Sequence, residues 1–129
     1  WEKYGIHALE TVYPIVGPGF ESIQNIGDKN RNIVHLHHSK GIDINIANIS
    51  DMLGGFGLIS LMGTKGGIQI KSTDTYYAFK KQLQSYVNYL LTGHKPVSWN
   101  ETYELMQLVS AGIESREKGG IKITLNKDK

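Results

Sequence analysis

The chain has 129 residues, 40% of them apolar, with 14 Lys and Arg against 12 Asp and Glu. That length suits one compact domain, the charge balance argues against a nucleic-acid binder, and no apolar run approaches the ~18 residues of a membrane span. The absence of cysteine excludes disulfides, thiolate metal sites and cysteine nucleophiles.

In chain order, Ile6, Leu9, Val12 or Tyr13, and Val16 share one face of a helix over residues 6–16. Pro14 predicts its end or a kink, and Gly17-Pro18-Gly19 a stop. FESIQNI (20–26) alternates in polarity. NIVHLHHS (32–39), the turn Lys40-Gly41 and IDINIANI (42–49) then read as a hairpin. DMLGGFG (51–57) is a loop. GLISLMG (57–63), the turn TKGG and IQIKS (68–72) give two more short strands. Links this short require antiparallel pairing.

A second helix is predicted over 74–92, capped by Thr73 or Asp74 and stopped by Gly93. Its stripe of Tyr76, Phe79, Leu83, Tyr86, Val87 and Leu90 fits packing on a sheet. Ser98-Trp99-Asn100-Glu101 has the form of a capping box. It opens a helix to about 117, with Tyr103, Met106, Val109 or Ser110, and Ile113 on one face. Gly119-Gly120 ends that helix, and IKITL (121–125) is a last strand. The order predicts an α+β fold, a single domain over 1–129 with an open, mostly antiparallel sheet and helices on one face.

His7 lies off the apolar stripe of the first helix, and Glu10 shares its side. An imidazole titrates near neutrality and suits proton transfer. His35 and His37 point to one face of a strand about 7 Å apart, a spacing that one metal ion could bridge, but no third ligand is indicated. A polar strand face, or a face meeting another subunit, is the preferred reading. GTKGG (63–67) lies between two strands, so it reads as a turn and not as a phosphate loop. A strand–glycine–helix dinucleotide fingerprint is lacking. The chain begins with Trp1, and the expectation is a processed chain or a piece of a longer one. Its localisation, cytoplasmic or periplasmic, is left open.

Several stretches stand in an order found in one family: YGIHALE (4–10), the Gly17 stop, the strand–turn–strand around SKGIDINI, MGTKGGIQI (62–70) and ETYELMQLVSAGIESREKGGIKITL (101–125). From about Tyr4 to Leu125 the chain resembles the C-terminal domain of the glucose-fructose oxidoreductase and inositol dehydrogenase family (Gfo/Idh/MocA), a dihydrodipicolinate-reductase-like fold. The resemblance implies a two-domain enzyme. Its N-terminal Rossmann domain, absent from this sequence, binds NAD or NADP. The C-terminal domain carries much of the substrate pocket, and its exposed sheet face serves oligomerisation.

The implied chemistry is hydride transfer from a sugar or cyclitol hydroxyl. His7 is then the catalytic candidate, with Tyr4, His7 and Glu10 against the substrate. This domain itself would hold no cofactor or metal and would not catalyse alone. One position departs from the family: Lys3 stands where an aspartate is common, four residues before the histidine, and an ammonium cannot accept a hydrogen bond. Either the acid–base chemistry differs, or His7 binds substrate without taking a proton. The alternative reading is a stand-alone binding or assembly module of the same fold without redox activity.

Overall fold

The computed structural model describes residues 1–51, 57–71 and 74–125. The chain divides into two compact units, residues 1–52 with 99–129, and residues 53–98. Most of the predicted loop at 51–57, the proposed cap Thr73 and the last four residues lie outside the described residues.

The first unit holds α1 (Gly5–Val16), β1 (Phe20–Asn25), β2 (Arg31–His38), β3 (Ile42–Ile49), α3 (Trp99–Glu117) and β6 (Ile123–Thr124). The second holds β4 (Leu58–Gly63), β5 (Gly66–Lys71) and α2 (Thr75–Thr92). The architecture is α+β, and every strand pairing is antiparallel.

In the first unit the sheet order is β3-β2-β1-β6. β2 alternates as a half-covered strand should: Asn32, Val34, Leu36 and His38 are buried while Ile33, His35 and His37 face outward. Gly41, at φ 71°, closes the β2–β3 hairpin, with its N–H on His38 O. Leu9, Tyr13 and Val16 of α1 meet Phe20, Ile23, Val34 and Leu36 of the sheet and Leu105 and Leu108 of α3. Tyr13, and not Val12, takes the inward position. α1 also continues through Pro14 to Val16 instead of stopping there. Gly17 ends it, at φ 78°, donating its N–H to Tyr13 O.

α3 keeps Val109 and Ile113 of its predicted face against the core but departs from it at the first two positions. Tyr103 and Met106 are more than half exposed, while Leu105, Leu108, Val109, Ala111, Gly112 and Ser115 are buried. The cause is what the neighbours require. The Trp1 indole lies against α3 and donates its Nε1–H to Val109 O at 3.1 Å. A Cβ on Gly112 would sit 2.5 Å from that indole, and one on Gly5 equally close. The ring therefore occupies a slot that only two glycines leave open.

Ser115 is buried because its hydroxyl works for the backbone: it accepts the Asn25 N–H at 2.9 Å and donates to Ile121 O. Asn25, fully buried, donates to Asn32 Oδ1 and Gly112 O and accepts from Gly27 N. These bonds satisfy buried polar groups and fasten α3 to β1 and β2. Glu104 closes the other end. It accepts the Tyr13 hydroxyl at 2.9 Å and the N–H groups of Gly19 and Phe20 at 2.8 and 2.9 Å. Burial, and then that carboxylate, push the Tyr13 phenol well above its ordinary titration.

The Arg116 side chain is almost wholly buried and pairs with Glu2 through its two terminal guanidinium nitrogens, Nη1 adding a bond to Asn32 Oδ1. Those hydrogen bonds hold the Glu2 carboxyl far below the usual carboxylate range. A carboxyl depressed in the folded state contributes stability that is complete above its unfolded pKa of ~4.3 and is lost as pH falls through the folded value. Glu2 is half exposed, so screening limits this contribution to about 1 kcal/mol. The expected result is that wild type loses stability more steeply than Glu2→Gln as pH drops from about 5 to 2. Urea melts at stepped pH check it; parallel curves would remove the pair from the acid response.

In the second unit β4 and β5 form a two-stranded hairpin turned at Thr64-Lys65. Asp74 caps α2 by accepting the Tyr77 N–H at 2.8 Å, and Gly93 closes it in the left-handed region at φ 72°. The predicted stripe is real in its spacing but not in its burial: α2 has no buried residue among those described. Among the described residues the helix makes no extensive contact with the hairpin, and Tyr76 to Leu90 remain at the surface instead of forming a core.

Candidate functional site

α1 begins without a side-chain cap at Tyr4, and the His7 N–H turns back to Tyr4 O at 3.2 Å. Leu9 and Tyr13, both in the core, fix the inner face of the helix. The outer face carries a row of chemically active groups. The His7 ring is 52% exposed, and its Nδ1 lies 3.4 Å from Glu10 Oε2, an ion-pair distance longer than a good hydrogen bond. The Tyr4 ring is tilted 41° to the imidazole with centroids 6.4 Å apart. Lys3 Nζ stands 5.2 Å from the centroid of the Tyr4 ring. Thr11 donates to His7 O at 2.7 Å.

The three residues singled out from the sequence, Tyr4, His7 and Glu10, thus stand together, and Lys3 joins them. An ammonium, a phenol, an imidazole and a carboxylate in one row can meet a polyhydroxylated molecule. The imidazole–carboxylate pair can exchange a proton with it. The row lies on a helix whose opposite face is anchored in the core, so its spacing is held.

The histidine-rich strand is paired across the sheet. His37 Nδ1 meets Asp43 Oδ1 at 2.8 Å, His35 Nε2 meets the same oxygen at 3.4 Å, and His35 Nδ1 meets Asn45 Oδ1 at 3.1 Å. The His37 hydrogen bond keeps the Asp43 carboxyl below its ordinary value. Among the described residues no group of three His, Asp or Glu is arranged to hold a metal ion. Sequence reasoning missed Asp43 and Asn45 as the partners. Counting back from the Lys40-Gly41 turn would have found them, because the register sets His37 opposite Asp43 and His35 opposite Asn45.

His38 points the other way and is fully buried. Its Nε2 donates to Pro18 O at 3.0 Å and its Nδ1 accepts the Lys40 N–H, so it holds the turn after α1. GTKGG forms the tight end of the β4–β5 hairpin, with no helix start to receive a phosphate. No helix among the described residues is long and apolar enough to cross a membrane.

No family model matches the sequence, and no curated protein matches it. Among solved structures the chain is similar to the crystal structure of an oxidoreductase from Agrobacterium radiobacter in complex with NAD+, L-tartaric acid and magnesium. The TM-score is 0.66 at 14% identity, over 93% of this chain and 47% of that one. At that identity the likeness is one of fold. The chain spans about half the length of the protein it matches.

Proposed function

We propose that this chain is the substrate-binding and oligomerising half of an NAD- or NADP-dependent oxidoreductase acting on a sugar or cyclitol hydroxyl, a C-terminal domain of the Gfo/Idh/MocA kind. The observation that carries the reading is the structural match: nearly all of this chain corresponds to less than half of an NAD+-bound oxidoreductase. The row on α1 supports it, with an imidazole paired to a carboxylate on an exposed, anchored helix face.

In this reading a Rossmann domain of the parent chain holds the dinucleotide, which takes the hydride from the alcohol carbon. The described residues here contain no cradle for it. This chain's part is to hold the alcohol. Tyr4 and Glu10 meet its hydroxyls, His7 receives the hydroxyl proton, and Glu10 steadies the ring. The open face of the β3-β2-β1-β6 sheet, with His35, His37, Asp43 and Asn45 upon it, meets another subunit. A binding or assembly module without redox chemistry is the second reading, favoured by Lys3 in a place where a carboxylate would serve proton transfer.

The test is the reading frame upstream of Trp1, expressed together with this chain. The expected result is a strand–glycine–helix fingerprint and a protein that quenches NADH or NADPH fluorescence on binding and reduces the dinucleotide in the presence of a polyol. A frame with no such fingerprint, or an extended protein that binds no dinucleotide, overturns the oxidoreductase and leaves the module.

A further inference from the structure

The row on α1 carries one charge that the chain itself does not answer. Lys3 is exposed, and its ammonium meets the Tyr4 ring but no carboxylate among the described residues. The two acidic side chains nearest in sequence are already committed. Glu2 is bound to the Arg116 guanidinium, and Glu10 faces the His7 imidazole.

An unpaired lysine on open surface is ordinary. Lys3 differs in its place. Its ammonium lies 5.2 Å from the centroid of the Tyr4 ring, and the centre of the His7 imidazole lies 6.4 Å from the same point. The ring attracts the cation and restrains a side chain that would otherwise range through water. One phenol thus keeps a positive charge close to the group proposed to take the hydroxyl proton. In the proposed site the alcohol lies between His7 and a dinucleotide held by another domain, so the row gives up water when substrate binds. An ammonium withdrawn from water without a counter-ion is costly. With Glu2 and Glu10 committed, the counter-ion has to arrive with the ligand.

We infer that Lys3 binds a carboxylate on the substrate, and that the substrate is a polyhydroxylated monocarboxylate, a sugar acid of the aldonate or uronate kind. The inference rests on the proposed role of the α1 row and narrows the substrate class of that same site. The carboxylate lies on Lys3, the reacting hydroxyl on His7, and further hydroxyls meet Tyr4 and Glu10. The charge count selects a monoanion. A phosphate ester carries about −1.5 to −2 charges near neutrality. One ammonium would leave part of that unanswered, with the Glu10 carboxylate in the same row to repel it. The lysine that stands where an aspartate is common then serves recognition instead of proton transfer.

The experiment titrates the full 129-residue chain with D-gluconate and with D-glucitol, which share a carbon skeleton and differ in the carboxylate. Binding is followed by the amide and imidazole NMR signals. The expected result is that gluconate moves the signals of Lys3, Tyr4 and His7 and saturates in the millimolar range, while glucitol at equal concentration binds about tenfold more weakly, the worth of one charge-assisted hydrogen bond. Lys3→Met removes the preference and Lys3→Arg keeps it, with unchanged tryptophan emission as the check on folding. Equal response to gluconate and glucitol overturns the inference. So does acetate that binds as well as gluconate, which would reduce Lys3 to a bare charge, or glucose 6-phosphate that binds more tightly than gluconate. In the extended protein, Lys3→Met should lower the ratio of kcat/KM for gluconate over glucitol about tenfold, and an unchanged ratio overturns the inference as well. The two readings fail separately. Loss of the acid preference leaves dinucleotide binding and the oxidoreductase in place, whereas an extended protein that binds no dinucleotide ends the redox reading while the titration still judges the anion site.

Discussion

Replacing His7 with alanine in the full-length oxidoreductase that this chain is proposed to complete lowers turnover by about 10²–10⁴-fold, the contribution of a positioned proton acceptor. The melting point stays nearly unchanged. Removing a half-exposed surface side chain costs at most about 0.5 kcal/mol, so the loss cannot be attributed to unfolding. The division between kcat and KM decides the role. A base lowers kcat and kcat/KM together, whereas a residue that only holds substrate raises KM with kcat intact. Lys3 makes the second pattern a real competitor, since no carboxylate precedes the histidine by one turn. Glu10→Gln shows a smaller loss in the same direction, because the ring remains and only its steadying partner goes. Unchanged kcat and KM in His7→Ala would end any direct role for the imidazole.

The second large effect is structural and changes sign with context. Gly112→Ala destabilises the first unit by about 2 kcal/mol, an overpacking cost partly offset by alanine's helix preference of about 1 kcal/mol. The cost arises because the new Cβ meets the Trp1 indole at 2.5 Å. Trp1→Ala, which empties the slot and leaves Val109 O without its donor, costs about 3–5 kcal/mol. In the Trp1→Ala background the obstacle is gone. The nearest remaining atom is Ile23 Cδ1 at 3.1 Å, the end of a flexible side chain. There Gly112→Ala turns neutral or stabilising, giving a coupling of about 2–3 kcal/mol between the two positions. Denaturant unfolding of the four variants measures it. Equal effects of Gly112→Ala in both backgrounds would mean that the indole does not occupy the slot.

Much of the sheet was legible from sequence because period-two alternation and glycine punctuation are local signals. NIVHLHHS, Lys40-Gly41 and IDINIANI produced β2, the turn and β3 nearly to the residue. The ends of α2 were equally local, with Asp74 and Gly93 in their capping places. What failed was the assignment of faces. On α3 the aromatic and sulfur side chains at 103 and 106 outweigh Gly112 and Ser115 in any apolar count, yet the interior needs a gap for Trp1 and a hydroxyl for Asn25 N. Both demands come from residues about 90 to 110 positions away. The site followed the same rule. Tyr4 precedes the first helix and His7 and Glu10 lie on its outer side at intervals of three, so their proximity could be read from spacing. The Asp43 contact to two histidines needs the hairpin register.

The Glu104 clamp has a consequence for how the protein is made. Its three hydrogen bonds reach back to Tyr13, Gly19 and Phe20, and the helix that bears it supplies the backing for β1. On the ribosome, the first helix and three strands emerge well before residue 104 does, with all of residues 53–98 translated in between. Throughout that interval the nascent chain displays Phe20, Ile23 and Leu36 to solvent. Chaperone dependence should therefore concentrate there, and end when α3 clears the exit tunnel.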